Sequence, residues 1–407
     1  MTSWTHSLRE HYRWIIVAAG GLLGCVAIGA LFSLPVLLRP IALDTGWSTT
    51  GISTAMTVAF VAMAAGSMFW GTLSDRIGPR PVIVAGTLLL IAGLALASLA
   101  PSLPVFQVCF GAVVGVSAAA IFAPLMACVT GWFDTHRSLA VSLVSAGMGM
   151  APMTMSPLVA WLIQGHDWRG TLQILAALVA LLMLPAALLI RRPPALVQAA
   201  ASPDASQEAG PSVGQVVRSA PFIILVLTSF LTCATHSGPI FHTVSYAVTC
   251  GIPLMAAVSI YSLEGLAGMG GRIVFGLLGD RFGAARTLVL ALLAQAIVVL
   301  GYIYARELKS FYTVAALFGF TYAGVMPLFA VIARDNFPLR MMGTVIGGTA
   351  MASSIGMALG PVLGGLIYDS MSSYTWLFIG AFAMGMGSFL CALMFMRLPR
   401  RPEMALV

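Results

Sequence analysis

The sequence predicts an all-α membrane protein of twelve transmembrane helices in two pseudo-symmetric six-helix bundles, and three observations carry that prediction. First, 59% of the 407 residues are hydrophobic and 8% are charged, against about 25% charged in an average soluble domain. Second, polar breaks divide the chain into twelve apolar runs near the ~20 residues that a helix needs to cross the hydrocarbon core. Third, Gly71-Thr-Leu-Ser-Asp75-Arg76-Ile-Gly78-Pro-Arg80 returns half a chain later as Gly276-Leu-Leu-Gly-Asp280-Arg281-Phe-Gly283-Ala-Ala-Arg286. A polar turn repeated at that distance marks a duplicated half, and repeated halves are a transporter architecture.

The runs are 12–38, 48–73, 81–99, 104–131, 138–164 and 169–190 in the first half, then 219–249, 253–279, 286–305, 310–333, 341–368 and 374–396. The first exceeds a signal-peptide hydrophobic region of about 7–15 residues, so it is expected to stay in the mature protein. The second and third runs are joined by the first Asp-Arg turn. Glycine there tolerates positive φ and lets helices approach, while Asp caps a helix start or pairs with Arg. Gly71, Asp75, Arg76, Gly78 and Arg80, with Asp280 and Arg281 of the second copy, are therefore expected to form a latch. Before the fifth run, Phe133-Asp-Thr-His-Arg137 parallels Phe337-Pro-Leu-Arg340 before the eleventh, and Pro157 parallels Pro361. The longest break runs from Arg191 to Ser219, with a small, polar middle that reads as a flexible tether. The expected domains are an N-terminal bundle at 1–190, a linker at 191–218 and a C-terminal bundle at 219–407. Pro221 suits the first turn of the seventh helix. In the eleventh, Gly347, Gly348, Ser353, Gly356, Gly360, Gly364 and Gly365 form a surface for close helix packing.

Orientation follows from the basic residues. Sorted by alternate breaks, fifteen arginines lie on the side of the termini, whereas Arg39, Arg169, Arg306 and Lys309 lie on the other. The positive-inside rule puts both termini in the cytoplasm, of a bacterial inner membrane or another plasma membrane. The net charge of +7 comes from residues that punctuate apolar runs, without a basic stripe carrying interleaved aromatics, so nucleic acid is excluded as a partner. The six cysteines lie in or beside apolar runs without CxxC spacing and read as packing residues. No nucleophile-base pair, metal cluster or phosphate loop is apparent, so neither an enzyme nor a cofactor is expected.

One basic residue remains, Arg272, in Gly270-Gly-Arg272-Ile-Val-Phe-Gly276 within the eighth run. An arginine near a helix centre costs roughly 2.5–3.5 kcal/mol on insertion scales and usually faces an aqueous cavity; a guanidinium also binds a carboxylate bidentately. Glu264 precedes it by eight residues, about 80° around the helix and 12 Å along it, so the two are expected to act separately. Arg272 would anchor an anion and Glu264 would carry a proton; the bland alternatives are a structural ion pair and a protonated, hydrogen-bonded acid. The seventh run holds His236 and His242 on different faces, separated by Gly238-Pro239, which is expected to interrupt the helix as transporter substrate sites do. His242 shares its face with Tyr246 and is the candidate for the site and for proton coupling, against a histidine satisfied by a carbonyl. Tyr322, Met326 and Phe329 form a stripe in the tenth run, a spacing that packing also produces, and Phe122 of the fourth run offers an apolar wall.

The Asp-Arg turn with its echo resembles the signature loop of the major facilitator superfamily. Trp132-Phe133-Asp-Thr-His-Arg137-Ser-Leu139-Ala140, the Gly-Arg272 site and Gly319 to Pro327 resemble its proton-linked monocarboxylate transporters and their bacterial relatives, the oxalate/formate exchangers. The resemblance implies a secondary transporter moving a small organic anion, a monocarboxylate with a proton, by rocking of the two bundles, working as a monomer in the bilayer. Three departures stand out. Gly268 occupies the place where that family often has an acidic residue; the first helix lacks the lysine of eukaryotic members; and the eleventh lacks that of the oxalate exchangers. One cation suits a single carboxylate. The alternatives are export of an amphipathic drug or metabolite by proton antiport, and a membrane sensor that binds without flux.

Overall fold

The computed structural model describes residues 2–194 and 212–397, and among these every regular element is a helix. Among the described residues, eleven spans are long and apolar enough to cross a bilayer: His11–Leu38, Gly51–Ile77, Pro79–Ser98, Leu103–Trp132, Arg137–Gly165, Trp168–Leu189, Ala220–Thr249, Ala284–Tyr304, Leu308–Asn336, Leu339–Gly360 and Thr375–Met396. A twelfth long helix, Leu254–Phe282, lies eighth in order. Its 29 residues would extend over 40 Å at 1.5 Å each, but its glycines, Glu264 and Arg272 lower its hydropathy. The spans are numbered one to twelve with this helix as the eighth. The centre of the proposed linker lies outside the described residues; its end forms a short helix, Val213–Val217, started by a capping box between Ser212 and Gln215.

Sequence signals explain most boundaries. Proline opens the third span and stands at the start of the seventh, where its missing N–H costs nothing. Asp167 caps the sixth span by accepting from Gly170 N at 2.6 Å. One expectation fails: the seventh helix runs unbroken from Ala220 to Thr249 through Gly238-Pro239. A neighbouring helix supports it there, because the Ser237 hydroxyl donates to the Met357 carbonyl and accepts from Gly360 N at 3.1 Å; such contacts let membrane helices tolerate proline. The irregular turns fall elsewhere, at Phe32-Ser33 in the first span, at Met150 in the fifth, and in a π-helical segment, Gln107–Val113, in the fourth.

Lipid tails are as apolar as leucine, so membrane helices associate by close packing and polar contacts. The eighth and tenth spans cross on small residues: a Cβ at Gly271 would overlap the Phe320 carbonyl, and one at Gly319 would overlap that of Glu264. The second span packs on the eleventh through Gly71 against Gly343 and Ser67 against Gly347. The fifth packs on the eighth through Ser138 against Gly279 and Ser142 against Gly276. These two pairs are equivalent under the duplication, and each joins the first six spans to the last six.

Candidate binding cavity between the two sets of six helices

The Asp-Arg turns tie the two sets together at one face. Asp75, at the end of the second span, accepts from Gly343 N, Thr344 N and Thr344 Oγ1, each at 2.7 Å. The acceptor is a carboxylate on amides in the first turn of the eleventh helix, which begins at Met342, so it acts as an N-cap supplied from another helix. Asp280 does the same for the fifth span, accepting from Ser138 N at 2.9 Å and Leu139 N at 3.1 Å. Arg137 adds an ion pair to Asp335 at 2.9 Å. Of the two roles the sequence left open for Asp75, its contacts are those of the helix cap. Gly78 and Gly283 turn the chain at φ 97 and 90, which favours glycine. The arginines serve locally: Arg80 donates to the Leu188 carbonyl, Arg76 is exposed with its carbonyl accepting from Arg192 at 2.9 Å, and Arg281 lies over its neighbour Phe282.

Beyond this fastened face a cavity of about 220 Å³ lies between the sets. Ile28, Phe122, Met126, Ser145 and Met148 line it from the first set. Arg272, Met326, Phe329, Ile346, Thr349 and Ser353 are among those that line it from the second. Arg272 contributes the charge among the lining residues. Its guanidinium crosses to the fifth span and lies on Gly149, where a Cβ would overlap it, and its buried Nε has no hydrogen-bond partner among the described residues. The hydroxyls are largely satisfied within the wall: Ser229 Oγ and Ser353 Oγ are 2.6 Å apart, and Thr349 Oγ1 donates to the Ile346 carbonyl at 2.8 Å.

Of the residues singled out from sequence, Arg272, Phe122, Met326 and Phe329 meet on this cavity. Tyr322 is not among the lining residues; its ring packs on His236 and Phe318. Glu264 is 1% exposed, with Oε2 accepting from Tyr302 at 3.5 Å and Oε1 without a hydrogen-bond partner among the described residues. As expected, it is not paired with Arg272. His242 and Tyr246 are not among the cavity-lining residues. His242 packs on Tyr374, ring centroids 5.3 Å apart, and on Gly364. Tyr246 accepts from Arg306 inside a cluster with Phe311, Tyr374 and Phe378. His236 is the histidine against Tyr322, at 4.9 Å between centroids, with Nδ1 3.4 Å from Gln295 Nε2. Sequence reasoning passed over Met148, Ser145 and Ser229, and read Ser353 as part of a packing surface although it lines the cavity. Thr349 and Ser353 share a helix face one turn apart, which was a visible signal; the pairing of Gly149 with Arg272 across two helices left none.

Comparison with known proteins places this arrangement. A sequence model described as Major Facilitator Superfamily matches residues 20–358 and 308–406. Monocarboxylate transporter 13 of Bos taurus is 27% identical over 381 residues, spanning 93% of this chain and 87% of that one. Monocarboxylate transporter 11 of Homo sapiens is 27% identical over 375 residues, 89% of this chain and 78% of that one. Among solved structures, the proton:xylose symporter XylE bound to 6-bromo-6-deoxy-D-glucose superposes with a TM-score of 0.77 at 14% identity, covering 96% of each chain. The transporter FucP in its outward conformation superposes at 0.75 and 15% identity, covering 95% of this chain and 99% of that one.

Proposed function

Because this chain belongs to the Major Facilitator Superfamily, an integral membrane transporter family, we propose that it moves a small organic anion, a monocarboxylate together with a proton, by alternating access. The observation that carries the reading is Arg272: one guanidinium in a largely apolar cavity between the two sets of helices, its Nε unsatisfied among the described residues. A desolvated guanidinium binds a carboxylate through two parallel hydrogen bonds, and the names of the monocarboxylate transporter relatives agree.

In this mechanism residues 1–190 and 219–407 move as two bodies joined by 191–218. The fastened face is cytoplasmic, as are both termini, and the single chain is the working unit. Asp75 and Asp280 hold that face shut by capping helices of the opposite body. Opening it strips four backbone amides of their acceptors, which sets a barrier that substrate and proton binding must offset. Glu264 carries the proton. Its carboxyl accepts from Tyr302 and stands on the same helix as Arg272, about 12 Å along it, so an anion arriving at Arg272 alters the field at Glu264. His242, packed on Tyr374, is the second candidate for that role.

Uptake of labelled monocarboxylates into proteoliposomes, with and without an inward proton gradient, tests the proposal. Accumulation driven by the gradient supports it. Transport of neutral or cationic amphiphiles against the gradient, with no carboxylate uptake, would identify an exporter. Binding without any flux would identify a sensor.

A further inference from the structure

We infer that the substrate is a monocarboxylate with a branched or aromatic apolar body, and not a compact acid or a dicarboxylate. The inference rests on Arg272 as the anion anchor and deepens that reading from the shape and chemistry of the walls. The cavity of about 220 Å³ is many times the roughly 10–15 Å³ that a single water needs. A two-carbon acid would therefore leave most of it unfilled.

The walls match an apolar body. Phe122, Met126, Met148, Met326, Phe329 and Ile346 line the same cavity as the guanidinium. Each methylene buried against such surface strengthens binding about fourfold, so selectivity should climb with the apolar body. Three methionines with flexible, polarisable side chains adapt to differing shapes, which suits acceptance of both branched and aromatic bodies. A second carboxylate would meet no second cation among the lining residues. Ser229, Ser353 and Thr349 are engaged with one another and with the backbone, and Arg272 is the cation among the lining residues, so a second charge would be buried unpaired.

The test uses the full chain in proteoliposomes, with acetate, 4-methylpentanoate, phenylacetate and succinate labelled in turn and phenylacetamide as unlabelled competitor. The expected result is an apparent affinity at least tenfold higher for 4-methylpentanoate and phenylacetate than for acetate, with succinate weaker still and phenylacetamide without effect. Acetate or succinate equal to or better than the larger acids would overturn the inference while leaving the anion reading intact. Competition by phenylacetamide as strong as that of phenylacetate would instead overturn the role of Arg272 on which both rest. Ala350 and Ala330 also line the cavity, and Ala350→Leu should lower the phenylacetate-to-acetate ratio at least fivefold. Ala330→Val provides the same reading should the first variant fail to insert, and an unchanged ratio in an inserted variant counts against the inference.

Discussion

Replacing Asp75 by Asn should open the fastened face. The wild-type carboxylate accepts three hydrogen bonds at 2.7 Å from Gly343 N, Thr344 N and Thr344 Oγ1. Asparagine keeps one acceptor oxygen and turns a donor toward amides that are themselves donors, so at least one charge-assisted bond is lost outright. Hydrogen bonds to charged groups contribute about 1.5–3 kcal/mol each, and the side chain is half-buried, so a net loss near 2 kcal/mol is reasonable. At 1.4 kcal/mol per tenfold, that shifts the ratio of fastened to open forms by about thirtyfold. Spin labels at Leu189 and Met396, exposed near the same face on opposite halves, report the separation by pulsed dipolar spectroscopy after the six native cysteines are replaced. A longer-distance population should grow in Asp75→Asn while substrate binding persists and turnover slows. Identical distance distributions in wild type and variant would refute the latch. Asp280→Asn should shift the equilibrium less, because Asp280 accepts from two amides at 2.9 and 3.1 Å.

Three further outcomes follow from the same geometry. Glu264→Gln should abolish accumulation driven by a pH gradient yet leave exchange of anion for anion; normal accumulation would remove Glu264 as the carrier, and the same assay on His242→Gln tests the second candidate. Gly71→Val should favour the open form and lower uptake at least tenfold, since a side chain there would overlap the Gly343 carbonyl across the interface; wild-type uptake together with unchanged label distances would contradict this. His236→Phe keeps a ring against Tyr322 but removes the contact to Gln295, and should change apparent affinity by less than threefold if His236 only supports Tyr322.

The twelve-helix architecture was legible because bilayer insertion imposes length and apolarity on each span separately. The second signal was also local: two Asp-Arg turns at the same place in two halves. Arg272 stood out because an intramembrane cation is costly enough to need a reason. What escaped the sequence depended on contacts between distant helices. Rotation alone separated His236 from His242, but only the position of the tenth helix puts His236 on Tyr322. The unbroken helix at Pro239 likewise depends on Met357 and Gly360 of the eleventh span, far away in sequence. Gly149 matters only through the guanidinium that lies on it, which comes from a different helix.

The central claim is that Arg272 holds the carboxylate of the substrate, and equilibrium binding to the purified protein tests it without dependence on coupling or turnover. Titration of phenylacetate and acetate into wild type, Arg272→Lys and Arg272→Ala by calorimetry gives the comparison. The expected result is an at least tenfold loss of affinity in Arg272→Ala, from the roughly 1.5–3 kcal/mol of a charge-assisted contact. Arg272→Lys should be intermediate, since it keeps the charge and loses the planar fork. Wild-type affinity for both acids in a correctly folded Arg272→Ala protein would contradict the account.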